Sequence, residues 1–253
     1  MRQVLRRGLP PLLTFAAVVG AWQLATVWGG YSKQLFPPPA DVARGILELA
    51  EGGELWKSLW VSLLRFAGGY LAAASLAIPL GLFFGWYALF WRAVEPLVHV
   101  LRPISPIAWF PLISLWFGIG NLPAVVIIFL AAFYPILLST VAAVRQVDPV
   151  YLKVARNFGA RQPGVLWKIV VPATFPTIAV GLHIALGAAW VFLVAGEMLG
   201  VRSGLGYLII DSRNLLRTDL VLVGILFIGV SGLAIDVLMG RAEGWIKRQW
   251  GAR

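Results

Sequence analysis

The sequence predicts an all-α polytopic membrane protein with six transmembrane helices and a basic helical loop between the fourth and the fifth. Three observations predict it. Of 253 residues, 60% are hydrophobic and 13% charged, with mean hydropathy +0.84; a soluble domain carries roughly 45–50% apolar and about 25% charged residues. The apolar residues fall into long runs, each near the ~20 residues that cross a bilayer as a helix. Lysine and arginine gather between those runs rather than on one domain face.

The first run is about Leu9 to Trp28. Met1 to Arg7, with Arg2, Arg6 and Arg7, has the charge of a signal-peptide start. The run behind it is longer than a usual signal core and no small-residue cleavage site follows, so a retained helix is expected. Pro37–Pro39 then bars any helix arriving from above. Asp41 opens a short amphipathic helix with Val42, Ile46 and Leu49 on one side and Arg44, Glu48 and Glu51 on another, ended by Gly52-Gly53.

The second run, about Leu59 to Leu89, is rich in Gly and Ala (Gly68, Gly69, Ala72 to Ala74, Gly81, Gly85). Small residues let membrane helices approach closely. The third, about Val94 to Phe117, is interrupted by Pro103, Pro106 and Pro111. A broken span is tolerated only where protein or a watery cavity covers the freed backbone groups. The fourth is about Pro123 to Val144, the fifth about Thr174 to Leu199, again rich in small residues, and the sixth about Leu220 to Met239.

Six spans place both termini on one side. That side would hold the N-terminus, Arg92, the loop around Arg145 to Lys168 and the basic tail, with about twice as many Lys and Arg as the other. The positive-inside rule makes it the cytoplasmic side. The same rule accounts for the net charge of +10 without nucleic acid. The chain has no cysteine, which excludes disulfides, thiolate metal sites and cysteine nucleophiles. It has no G-x-x-x-x-G-K-[ST] phosphate loop, so it is not expected to hydrolyse ATP itself.

The loop VARNFGARQPGVLWKIVVP, Val154 to Pro172, follows a helix-start signal, Asp148-Pro149. Leu152, Ala155 and Phe158 lie at helical spacing on one face, and Lys153, Arg156 and Asn157 on another. Gly159 suits a left-handed cap, and Pro163 begins a second short helix carrying Val165, Leu166, Trp167 and Ile169. Two readings stand: a helix lying in the lipid interface, anchored by Trp167 and Lys168, or a knob for a groove on a cytoplasmic partner. The glycine break favours the knob, because an interfacial helix needs none.

Lys153-Val154-Ala155-Arg156-Asn157-Phe158-Gly159-Ala160, followed by Val171-Pro172, resembles the "EAA" signature of bacterial ABC-transporter permeases. Ala155, Gly159 and Pro172 agree with it; Lys153 stands where the family has Glu, and Val154 where it often has Ala. FPPPADV (Phe36 to Val42), LRPISPIAWFPLISLWFGIG (Leu101 to Gly120), SGLGYLI (Ser203 to Ile209) and RTDLVLVGI (Arg217 to Ile225) look like the nitrate/sulfonate/taurine/bicarbonate importer subfamily. The resemblance implies a type I importer (MetI-like) fold. It implies one transmembrane domain over 1–253, with a first helix and outer amphipathic segment (1–58), a five-helix core (59–240) and a coupling loop (146–172). Two copies would form the path for a small oxyanion. Two cytoplasmic ATP-binding subunits would dock on Lys153, Val154, Ala155, Arg156, Asn157, Phe158, Gly159, Ala160 and Arg161. An extracytoplasmic substrate-binding protein would deliver cargo. No cofactor is expected on this chain, with ATP and Mg on the partner, and the expected location is a bacterial inner membrane.

Ionisable residues inside spans are functional candidates because burying them is costly. Arg102, Ser105, His183 and Glu197 are the candidates for the translocation path. Arg102 precedes the Pro103–Pro106 break, and either attracts an anion or pairs with a carboxylate; the pairing is the blander expectation. Glu197 is expected near the outer mouth as a gate or docking contact. Arg65 is expected to snorkel to the interface, Asp236 to sit hydrated near the inner one, and His99 to lie near Glu95 at the inner headgroups. No spacing fits a metal site, a catalytic dyad or a triad. An ion-coupled secondary transporter with a broken helix is the alternative, but the two halves show no repeat and it leaves the glycine-broken loop unexplained. A membrane enzyme lacks a convergent set of His, Asp or Glu.

Overall fold

The computed structural model describes residues 2–30, 32, 34–159 and 162–249, and these are helical nearly throughout. The elements are α1 (Arg2–Trp28), α2 (Pro39–Glu51), α3 (Glu54–Trp86), α4 (Ala88–Leu101), a 3₁₀ turn (Pro106–Trp109), α5 (Phe110–Phe117) and α6 (Asn121–Arg145). They continue with α7 (Pro149–Asn157), α8 (Gln162–Val165), a π-turn (Leu166–Val170), α9 (Val171–Gly200), α10 (Leu205–Asn214) and α11 (Thr218–Gln249).

Four stretches are long and apolar enough to cross a membrane: Glu54–Trp86, Asn121–Arg145, Leu166–Gly200 and Thr218–Trp245. The pair Ala88–Leu101 and Pro106–Phe117, bent by 86°, makes a fifth if counted as one span. The expected break in the third run is thus a sharp elbow. The apolar part of α1 among the described side chains is Leu13–Trp28, shorter than the ~20 residues a span needs. The expected sixth span therefore depends on residues 1–12, where of the side chains only that of Pro10 is among those described.

α6 is the central helix, packed between α3 and α9. Its buried residues Ala124, Ile128, Ala132, Ile136, Thr140 and Val144 recur every fourth position. They face a matching ridge on α3, Gly69, Ala73, Ala77, Gly81 and Gly85. Two ridges of period four interlock, and the α3 side must be small for the backbones to close up. A Cβ placed on Gly69 would sit 2.7 Å from the Ile128 Cβ, and one on Gly81 2.5 Å from the Thr140 Cβ. Polar ties cross the bundle where side chains allow. The Tyr70 hydroxyl donates to the Leu182 carbonyl at 2.7 Å, and Trp190 Nε1 to the Ile228 carbonyl at 3.1 Å.

The elbow has a local cause. Arg102 N–H still donates to the Val98 carbonyl at 2.9 Å and ends α4. Pro103 and Pro106 have no N–H to carry the ladder on, so the chain turns before Ala108 N–H bonds the Ser105 carbonyl at 2.9 Å. The π-turn has a related cause. Pro172 cannot donate to a carbonyl in the preceding turn, and Val171 N–H reaches five residues back to Leu166.

Several boundaries differ from the sequence reading. α2 begins at Pro39, not Asp41, because proline is favoured in a first turn where N–H groups are orphaned anyway. α3 begins five residues ahead of Leu59 and breaks at Tyr87 (φ −100°, ψ 88°), so Ala88 and Leu89 belong to α4. α11 continues past Met239 through the basic tail to Gln249. α10, from the SGLGYLI segment, is a helix too short to span that packs on α9 and α11.

Candidate functional site

Five places concentrate polar chemistry. The first is the loop at one end of the bundle. Asp148 Oδ1 accepts from Val150 N–H at 2.8 Å, the N-cap expected from Asp148-Pro149. α7 ends at Asn157, and Gly159 takes φ +73° with nothing within 4 Å of its missing side chain. Ala155 and Val165 are buried. Lys153 and Asn157 are exposed. Phe158 is 88% exposed although its N–H still donates to the Val154 carbonyl at 3.1 Å, so the burial of Ala155 does not extend one turn further along that face. Val150, Tyr151, Val154, Phe158 and Trp167 form an exposed apolar set around the glycine. Ala160 and Arg161, and the Arg156 side chain, lie outside the described residues.

The second place is the elbow. A cavity of about 280 Å³ opens there, lined by Arg102, Pro103, Ile104, Ser105, Pro106 and Trp109 from the break, by Leu130, Ala131, Tyr134 and Pro135 from α6, and by Phe192 from α9. Arg102 and Ser105 are exposed on its rim. Among the described residues no carboxylate lies within ion-pair distance of Arg102, which corrects the expectation that it pairs with one.

The third place lies at the opposite end of the bundle from the loop, and the sequence misjudged both its members. Arg65 (4% exposed) and Glu197 (0%) form a buried ion pair at 2.7 Å. Glu197 also accepts from the Ser62 hydroxyl (2.8 and 2.9 Å) and the Gly206 N–H (2.9 Å). Arg65 also donates to Asn121 Oδ1 (2.6 and 3.0 Å), the Ser203 carbonyl (2.6 Å) and the Ser203 hydroxyl (2.6 Å). Arg65 does not snorkel, and Glu197 does not line a path: the carboxylate is sealed and its oxygens are spent. The cluster ties α3, α6, α9 and the turn into α10 together. The one signal in the sequence was that two opposite charges lie within spans near the same end, and such charges tend to find each other.

The fourth place holds another path candidate. His183 on α9 bonds Glu243 Oε2 through Nδ1 at 2.8 Å and Asp236 Oδ1 through Nε2 at 2.9 Å, both on α11. Both ring nitrogens are used in joining two helices, and His183 does not reach the elbow cavity. His99 lies 3.9 Å from Glu95, as the spacing implies.

The fifth place is a cluster at the Arg65 end. Arg217 grips Glu48 of α2 with both terminal nitrogens (3.1 and 2.7 Å) and Asp219 at 2.8 Å. The Arg217 hydrogen bonds hold Glu48 below the usual carboxylate range, and those to Asp219 and then Glu48 raise Arg217 further. Leu216, beside it, holds φ +58° and is exposed. Among the described residues no group of three His, Cys, Asp or Glu is placed to hold a metal ion.

Among the described residues these places join helices, expose a loop and line a cavity, and none holds a catalytic constellation. The family described as binding-protein-dependent transport system inner membrane component matches residues 77–248. A putative ABC transporter permease protein of Methanocaldococcus jannaschii is 36% identical over 238 residues, covering 92% of this chain and 87% of that one. The taurine transport system permease protein TauC of Escherichia coli is 33% identical (88% and 83% covered), and the nitrate import permease protein NrtB of Leptolyngbya laminosa 32% (94% and 87%). Among solved structures, a chain of the inward-facing MetNI methionine ABC transporter superposes with TM-score 0.57 at 20% identity, over 73% of this chain and 95% of that one. The chain therefore belongs to the binding-protein-dependent ABC-transporter permeases, multi-pass membrane proteins that carry transport rather than catalysis.

Proposed function

We propose that two copies of this chain form the translocation path of an ATP-driven importer for a small oxyanion: a sulfonate such as taurine, nitrate or bicarbonate. The cargo arrives from an extracytoplasmic binding protein. Two ATP-binding subunits, which carry the ATP and Mg, dock on the loop 146–172. Both termini lie on the cytoplasmic side, by the Lys and Arg distribution. Relatives named for taurine, aliphatic sulfonates and nitrate, each 32–33% identical over about nine-tenths of the chain, carry the cargo reading. The exposed apolar residues around Gly159 support the docking reading, since a left-handed glycine between two short helices sets a compact knob for a groove.

The test is reconstitution of the permease with the ATPase encoded beside it and the cognate binding protein. ATP hydrolysis stimulated by the loaded binding protein, with uptake of an anion, is expected. Uptake that persists when the ATPase is inactivated, and collapses with the proton or sodium gradient, refutes the reading. A binding screen on the binding protein then identifies the anion.

A further inference from the structure

We propose that the elbow cavity is an anion-binding site within the permease itself, where Arg102 receives a monovalent oxyanion on a small body, with Ser105 and Tyr134 as hydroxyl donors. It deepens the oxyanion reading above and rests on it.

Depth is the first argument. Arg102 lies fourteen residues beyond the start of α4, about 21 Å along a helix axis. Tyr134 is near the middle of α6, thirteen residues from Asn121 and eleven from Arg145. The cavity is therefore at mid-span, about 15 Å from either headgroup layer, and a lipid phosphate does not reach it.

Neutralisation is the second. The other ionisable side chains deep in the described spans have opposite charges beside them: Arg65 with Glu197, and His183 with Asp236 and Glu243. Among the described residues Arg102 has none. No backbone carbonyl among them takes a hydrogen bond from its guanidinium either, whereas Arg65 has the Ser203 carbonyl. A guanidinium at this depth with no partner among the described residues is free to meet what passes along the cavity.

Shape is the third. A cavity of about 280 Å³ is at the small end for ligand sites. Trp109, Leu130 and Phe192 make the rest of the wall apolar. A planar or tetrahedral oxyanion offers two oxygens to a guanidinium fork, and the apolar wall accepts a short carbon body. Cations are rejected by charge. The site thus adds a filter of sign and size behind the binding protein.

The experiment uses the complete complex in proteoliposomes, with taurine, nitrate and bicarbonate as probes. In Arg102→Gln, anion moved per ATP hydrolysed is expected to fall about tenfold, the weight of one charge-assisted hydrogen bond. Arg102→Lys should restore part of it, and Tyr134→Phe should lower it several-fold. Independently, nitrate at ionic strength matched with chloride should raise the melting temperature of the wild-type complex made without binding protein, but not that of Arg102→Gln. Unchanged coupling in Arg102→Gln overturns the site, as does a nitrate shift that is absent from wild type or equal in the variant. If the wild-type complex instead carries only solutes without an oxyanion group, the oxyanion reading itself fails. An anion carried equally by wild type and Arg102→Gln leaves that reading standing and removes the site.

Discussion

Glu197→Ala probes the buried cluster that holds α3, α6, α9 and the α10 turn together. In the variant, Arg65 keeps Asn121 and Ser203 but loses its counter-charge while only 4% exposed. The Ser62 hydroxyl and Gly206 N–H lose their shared acceptor. Breaking one side of a buried pair costs about 3–5 kcal/mol, because the partner charge stays behind. At about 1.4 kcal/mol per factor of ten, the folded-to-unfolded ratio falls roughly 100- to 4,000-fold. The assay is reversible unfolding in mixed micelles of mild detergent and dodecyl sulfate, followed by tryptophan fluorescence. Arg65→Met, Glu197→Met and the double variant form a separate double-mutant cycle, in which the pair should cost less than the sum of the two Met singles by ~1 kcal/mol or more. Additive singles, or a Glu197→Ala cost within about 0.5 kcal/mol of zero, would refute the pairing.

Three further outcomes follow from the geometry. Gly159→Pro, whose ring fixes φ near about −65° where the chain needs +73°, should leave the protein in the membrane but abolish co-purification with the ATP-binding subunit; normal transport by it argues against docking. Gly69→Ala should cost about 1–3 kcal/mol in the same unfolding assay, since its methyl would meet Ile128 and the Val125 carbonyl at 2.7 Å. Glu48 has a folded-state pKa depressed below its ordinary 4.5, so its grip on Arg217 is fully present above that value and is lost as pH falls through the lower folded value. Protection factors across α2, which take out the intrinsic pH dependence of exchange, should therefore fall as pH drops below about 4.5 in wild type and fall less in Glu48→Gln; equal loss of protection in both removes Glu48 as the cause.

What the sequence revealed depended on the range of each signal. Asp148-Pro149 and Gly159 act through their own backbone, and both behave as their chemistry demands. The prolines at 103 and 106 announced a break, though not an 86° elbow with a cavity inside it, because the angle is set by packing on α6 and α9. α10 was missed because ten residues of mixed polarity match neither a span nor a clean amphipathic stripe. Phe158 keeps the helical bond to Val154 yet is exposed, because periodicity gives a face but not how far along it the packing reaches. The Arg65–Glu197 pair joins positions 132 residues apart. Local pattern carries no register between two helices, so each charge was judged alone, and each was misjudged.

Pairing changes what an intramembrane charge means. Taken singly, Glu197 was a path candidate and Arg65 a snorkelling side chain, yet together they are a neutral strut near one end of the bundle. His183, Asp236 and Glu243 make a second strut, joining α9 to α11 toward the other. Both struts leave the middle of the bundle to apolar packing, except at the elbow. There two prolines open a cavity, and among the described residues Arg102 on its rim has no counter-charge. A permease that needed Arg102 only for its fold had carboxylates available and used them elsewhere. The same physics that explains the struts therefore supports the anion site proposed at the elbow, where Arg102 has no carboxylate beside it among the described residues.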